Sequence, residues 1–287
     1  MKRNSLFYLG AVAIALVAGV VTYFVVNAHA RHFTLIHVND THSHFEPIKS
    51  GDCAGMGGII ERAAYIDSVR NAVGKDNLLL LHAGDFSQGT TYFSELGGDL
   101  EIDALNSIGY DAVTLGNHEF DNGLENLGDR LEKLRMPVVC CNLDFSPFKI
   151  GQFVKPYTIV EKGGVKIGII GVVCSLKDMV AGDISDRVPE REMIPTVQLY
   201  ADSLKYDYKC DMVIALTHIG YTEHNPGNIT DPMLVEGTSN IDLVVGGHSH
   251  TFLESLPRFR NKAKRRIPVT QDGWMGAWLG QAEITVR

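Results

Sequence analysis

An excess of cations, a regular cysteine spacing, internal repeats and low-complexity linkers are all missing from this sequence, and each absence removes a class of protein. Acidic residues number 34 against 26 basic ones, for a net charge of -8 over 287 residues, so no basic domain is available to grip a polyanion and nucleic-acid binding is set aside. Aromatics make up only 8% of a chain that is 45% hydrophobic, a globular composition that excludes disorder, collagen and coiled coil. The five cysteines, Cys53, Cys140, Cys141, Cys174 and Cys210, show no CxxC spacing and are odd in number, which argues against a disulfide framework. Cys140 and Cys141 stand together in an apolar segment read as a strand, where they act as small hydrophobes, although a single bridge stays open.

What is present begins with a targeting segment. Lys2 and Arg3 precede a run without charge from Leu6 to Val26, closed by Ala28-His29-Ala30, which fits a small-residue cleavage site. The run is longer than a typical secretory core and close to the ~20 residues that span a bilayer, so a cleaved signal peptide and an N-terminal anchor both remain open over 1–30. Either reading exports the remainder to a periplasmic or extracellular location, with a possible membrane tether through 6–26.

From residue 31 onward, short β-rich runs alternate with amphipathic stretches, as in α/β layers. Strands are predicted over Phe33–Val38, Asn77–His82, Ala112–Leu115, Val138–Cys141, Val165–Val173, Met212–Thr217 and Leu243–Val245. Helices are predicted over Gly58–Val73, Leu100–Ile108, Leu124–Leu134 and Val197–Lys205. Glu161-Lys162-Gly163-Gly164 reads as a hairpin turn, so the sheets are mixed. No composition break follows Arg31, and residues 31–287 read as one domain.

Polar residues collect where these strands end: Asp40-x-His42, Gly84-Asp85, Gly116-Asn117-His118-Glu119, Thr217-His218 and Gly247-His248-Ser249-His250. Any one piece alone reads as turn chemistry or a hydrogen-bonded core histidine. Five together, each ending an apolar strand, point to a cluster of oxygen and nitrogen donors at the carboxyl ends of a sheet, the usual ligand crevice of α/β folds. Donors without a thiolate suit borderline divalent ions such as zinc, manganese, iron or cobalt, with magnesium also admitted. Two such ions opposite two carboxylates and a bridging hydroxide leave residual positive charge that attracts a phosphate dianion. Ions about 3.5 to 4 Å apart can activate water for in-line displacement at phosphorus.

The order D-x-H, G-D, G-N-H-E, H, G-H-x-H resembles the calcineurin-like metallophosphoesterases. Within them Leu35–Glu46, Leu80–Gln88 and Ala112–Gly123 resemble the catalytic domain of secreted 5′-nucleotidases and UDP-sugar hydrolases. The resemblance implies a four-layer α/β/β/α sandwich and a hydrolase for phosphate esters. It gives Asp40, His42 and His250 to one metal, Asn117, His218 and His248 to the other, and Asp85 to both. It makes His118 the catalytic histidine that steadies charge on the phosphoryl group, Asp121 its orienting partner, and Asn117 a contact to substrate as well as metal. His44 is left between an extra ligand and a cleft wall, His37 and His82 read as core, Glu119 as structural, and His224 as unpartnered.

Full-length relatives of that type carry a C-terminal domain that stacks the nucleobase, and this chain ends before it. The expectation is therefore a phosphoesterase for small phosphorylated substrates, nucleotides foremost, whose specificity half is supplied by a separate polypeptide, with a broad enzyme or a differently built pocket as the other options. A phosphodiesterase or UDP-sugar pyrophosphatase uses the same metal set, and a non-enzymatic metal-dependent scaffold is the alternative outside enzymes. Finally, Arg258 to Arg266 places six cations in nine residues, read as a solvated loop or as a contact for an acidic partner or an anionic membrane.

Overall fold

The computed structural model describes residues 30–177 and 179–287; the targeting run over 6–26 lies outside them. Among the described residues no helix is long and apolar enough to cross a membrane. The strands are β1 (Arg31–Val38), β2 (Leu78–His82), β3 (Ala112–Thr114), β4 (Val138–Val139), β5 (Val154–Lys155) and β6 (Tyr157–Lys162). They continue with β7 (Val165–Val173), β8 (Met212–His218), β9 (Leu243–Val245), β10 (Arg258–Arg260), β11 (Arg266–Thr270) and β12 (Gly280–Val286). Helices are α1 (Ile59–Val73), α2 (Thr91–Leu96), α3 (Asp99–Ile108), α4 (Gly123–Leu131), α5 (Gly182–Ser185), α6 (Met193–Asp202) and α7 (Asp231–Gly237).

The strands form two sheets, ordered β12-β1-β2-β3-β4-β5 and β10-β11-β9-β8-β7-β6. Each is parallel in its centre, with antiparallel pairs at β1–β12, β10–β11 and β6–β7. The period-two alternation of side chains explains the layering. In β2, Leu79 and Leu81 join Leu35, Ile167, Ile169 and Ile214 in a core between the sheets. Leu78 and Leu80 face the other way, into a core shared with Ile66, Ile102 and Leu105 of α1 and α3. Helices α1, α3 and α4 pack beside one another over the first sheet, and α6 and α7 lie over the second, giving the four layers expected.

Most predicted elements are present, with physical reasons where they differ. Strand β4 stops at Val139, so Cys140 and Cys141 follow it; both are buried and unpaired, and Cys141 N donates to Gly171 O across the sheets at 2.9 Å. Helix α6 starts at Met193, because Pro195 sits in its first turn, where a proline removes no intrahelical bond. It continues into a π-helical turn at Ser203–Asp207. Helix α7 was not predicted, although its cap was written in the sequence: Thr230 Oγ1 accepts from Met233 N, and Pro232 follows in the first turn. In the hairpin turn, Gly163 and Gly164 sit at φ 56° and 72°, the left-handed pair that joins twisted strands most directly. The basic run read as a loop is instead a hairpin, β10 and β11, at the edge of the second sheet.

Strand polarity places the chemistry. Because β1, β2, β3, β8 and β9 run the same way within their sheets, the segments after Val38, His82, Thr114, His218 and Val245 emerge at one end of the sandwich.

Candidate metal centre

Those segments are locked to one another by backbone bonds: Asp40 N donates to Gly84 O and His42 N to Asp85 O, both at 3.0 Å. Asp40, His42, Asp85, His248 and His250 all adopt positive φ, between 46° and 84°. Left-handed backbone is uncommon for residues with side chains, and its concentration here turns the side chains inward at the strand ends. Gly116 is required by space: a Cβ there would strike Asp85 Oδ1 and His218 Nε2.

Two donor groups result. Asp40, His42 and His250 offer ligand atoms within 4.8 Å of one another, as do Asp85, His218 and His248. In the first, His250 Nε2 lies 3.3 Å from Asp40 Oδ1 and 3.0 Å from His42 Nε2. In the second, His218 Nε2 is 3.0 Å from Asp85 Oδ2, and Asn117 Oδ1 lies 2.9 Å from His248 Nδ1. The groups touch: Asp85 Oδ2 is 3.9 Å from His42 Nε2, and Asp40 Oδ1 is 3.8 Å from His218 Nε2. The seven residues expected as ligands are thus brought together, with Asp85 between the two groups.

The donor set fits cations. His218 Nδ1 is fixed by Ala83 O at 2.7 Å, so it carries hydrogen and leaves Nε2 aimed at the carboxylates; that buried nitrogen makes no hydrogen bond of acceptable geometry. His248 Nε2 and His42 Nδ1 are also buried without a partner. Burial, with His218 nearby, drives His248 down to about 3, and burial lowers His42, so both rings are neutral, the form that binds metal. Burial works against the charge of Asp40 and Asp85, yet His218 and the other imidazoles outweigh it and hold both carboxyls below the usual range. Burial likewise opposes a proton on His218, but the charges of Asp85 and Asp40 push it up to about 10, and a cation would take the place of that proton.

At the rim, His118 Nδ1 lies 2.8 Å from Asp121 Oδ2, and its backbone N donates to Asp85 Oδ1 at 2.9 Å. Its ring is about a third exposed, and its centroid is 5.3 Å from that of His42. Burial lowers its pKa, but the bond to Asp121 and the charges of Asp85 and Asp121 prevail and raise it to about 9.

His44 Nδ1 bonds to His42 O at 2.8 Å and joins neither donor group. His37 and His82 are buried, bonded to Thr270 and Thr41. His224, read as unpartnered, packs its ring 5.4 Å from that of His248. Glu119 is structural in a specific way: its carboxylate accepts from the backbone N–H of Asp85, Ser87 and Gly116 at 2.9, 3.0 and 2.6 Å, tying two metal-bearing loops together. Glu119→Gln is expected to lower folding stability by about 2–3 kcal/mol in urea titration, because one acceptor becomes a donor facing buried N–H groups.

Several supporting residues escaped the sequence reading. Asn39 donates to Asp40 Oδ2 at 2.6 Å and Gln271 to Gly247 O at 2.6 Å, while Trp274 stacks on His250 with centroids 4.9 Å apart. Asn39 adjoins a singled-out motif and could have been flagged; Gln271 and Trp274 act across the fold and carry no local signal. Beside His44 and Trp274 opens a groove of about 580 Å³, walled by Phe45 and Tyr92.

The family model for calcineurin-like phosphoesterases matches residues 33–252, a span that contains every donor named above. The chain belongs to this family. Calcineurin-like phosphoesterases use two divalent metals, in keeping with the two donor groups here. The chain is 33% identical over 274 residues to a snake venom 5′-nucleotidase of Naja atra, covering 88% of this chain and 50% of that protein. It is 32% identical over 274 residues to the 5′-nucleotidase of Bos taurus, covering 88% and 46%. Among solved structures, a 5′-nucleotidase precursor from Thermus thermophilus superposes with TM-score 0.77 at 31% identity, covering 88% of this chain and 51% of that one. The Haemophilus influenzae NAD nucleotidase follows with TM-score 0.75 at 28% identity, covering 89% and 47%. The calcineurin-like chain thus spans about half the length of the relatives it matches.

Proposed function

We propose that the protein is an exported, metal-dependent phosphomonoesterase of 5′-nucleotidase type, directed outward by the apolar run over 6–26. Asp40, His42 and His250 would hold one divalent ion, Asn117, His218 and His248 the other, with Asp85 serving both. When bound, the ions supply the Lewis acidity that activates water and the charge that draws a phosphate dianion. The chain's own residues do the rest. His118, protonated at neutral pH, places a cation where negative charge grows on the phosphoryl oxygens, and Asp121 orients that ring through Nδ1. Asn117 offers an amide to the phosphate from the floor of the site. The observation that carries the reading is this juxtaposition, two touching donor groups with a carboxylate-paired histidine at their rim. The groove walled by Phe45, Tyr92 and Trp274 supports an aromatic leaving group, and the nucleotidase relatives support a nucleotide.

The test is a substrate panel on metal-reconstituted full-length protein: AMP, an aryl phosphate, an aryl phosphodiester and a UDP-sugar. AMP turnover well above that of the diester and the UDP-sugar is expected; the reverse order overturns the monoesterase reading in favour of a diesterase or pyrophosphatase. Running the panel with and without a candidate partner polypeptide also tests a separately supplied specificity half. High AMP turnover, equal with and without the partner, would exclude it.

The Asp121 pair gives a pH prediction. His118 loses its proton as pH rises through its raised pKa of about 9, so turnover falls on the alkaline side. Asp121→Asn removes a cause of that raised value, and the alkaline limb of the kcat–pH profile is expected to move down by about one unit or more. An unmoved limb would separate Asp121 from His118.

A further inference from the structure

The basic hairpin is left unused by the reaction. Its position follows from strand direction. Strand β9 leads into Gly247–His250, and β11 runs parallel to it, so Arg266 at the start of β11 lies at the end of the sandwich far from the metal centre. Strand β1 likewise runs toward Asp40 and starts at Arg31 at that same far end, where Arg31 bonds to Asp211 ahead of β8 and to Gly164 of the hairpin turn. Arg31 follows the apolar run by five residues. Even fully extended, that stretch reaches at most ~18 Å, so while the run occupies a bilayer this end of the molecule sits beside it.

The cations are fixed on a frame. Asn261 is buried; its backbone N donates to Arg265 O at 3.0 Å and its Oδ1 accepts from Arg265 N at 2.9 Å. Lys262 N donates to Thr238 O at 2.9 Å. Around this turn Arg258, Arg260, Lys262, Lys264 and Arg266 are exposed and have no ion pair among the described residues. Two nearby acids are engaged by other cations, Asp242 by Arg265 and Asp211 by Arg31, while Glu254, which lines the same groove as Arg258 and Arg266, makes no ion pair among the described residues. Arg260 and Arg266 stand directly opposite in register, a like-charge pair that costs stability in an antiparallel ladder. A local positive face maintained against that cost, in a chain of net charge -8, leaves the rest of the surface more negative still.

We propose that this hairpin is a docking face for an anionic phospholipid surface, which holds the metal centre pointing away from the bilayer. The inference rests on retention of the apolar run as a membrane anchor and not on the phosphatase reading. Headgroup phosphates pair with the unpaired cations within about a Debye length, ~10 Å at 0.1 M salt, so the contact weakens as salt rises.

The experiment uses the full chain reconstituted with vesicles of phosphatidylcholine alone, or of phosphatidylcholine mixed with phosphatidylglycerol, and follows tryptic cleavage at Lys262–Arg266 by mass spectrometry. At low salt, cleavage there is expected to be at least about tenfold slower on the anionic vesicles. Cleavage at Lys49, in a loop by the metal centre, is expected to be equal on both. High salt should remove the difference. Lys262→Glu/Lys264→Glu, two exposed positions, should remove it as read at Arg265 and Arg266, and Lys262→Gln/Lys264→Gln should reduce it. Equal hairpin cleavage on both vesicles overturns the proposal, as does protection by an acidic polypeptide but not by lipid, which would give the face to a protein partner.

Discussion

Asp85→Ala is expected to lower turnover by about 10⁴-fold or more and to reduce bound metal from two ions per chain. Asp85 reaches both donor groups: one carboxylate oxygen faces His218 at 3.0 Å and His42 at 3.9 Å, while the other accepts the His118 backbone N–H at 2.9 Å. Losing it removes the carboxylate that lies between the two donor groups and releases the loop that carries His118. The loss of charge stabilisation at phosphorus amounts to several kcal/mol, and each 1.36 kcal/mol is about a factor of ten in rate. Folding should survive, since the substitution also relieves repulsion between Asp85 and Asp40. Elemental analysis and kcat on the same preparation check both parts. Two tightly held ions in the variant would contradict its bridging place.

His118→Ala separates chemistry from metal binding. The ring belongs to neither donor group, so two ions should remain bound, while kcat falls by about 10²–10³-fold, the scale seen when one preorganised donor is removed from a transition state. KM should change far less, because a cation that engages growing charge matters little to the ground state. A variant with unaltered kcat would remove the catalytic assignment and revive the scaffold alternative.

The sequence exposed this site because every donor ends an apolar strand, and parallel strands deliver their ends to one place. Asp40, His42, Asp85, Asn117, His118, His218, His248 and His250 could be gathered at the strand ends for that reason alone, before any geometry. The left-handed backbone at Asp40, His42, Asp85, His248 and His250 was not legible, since that conformation is imposed by the loops locking onto each other. The same limit hid Gln271 and Trp274, whose roles arise from β11 and its following loop arriving beside Gly247 and His250. Local charge misled in one case: the six cations of 258–266 favour a solvated loop, yet 258–260 pair with 266–268 as the two arms of a hairpin. The leader was read from composition, and its structure lies outside the described residues.

Two cations are expected to occupy the paired donor groups. The most direct test is anomalous diffraction from crystals of manganese- or zinc-reconstituted protein, with stoichiometry measured on the same sample. Two peaks about 3.5 to 4 Å apart are expected, one among Asp40, His42 and His250, one among Asn117, His218 and His248, with Asp85 touching both. A single peak, or ions bound away from Asp85, would contradict that occupancy.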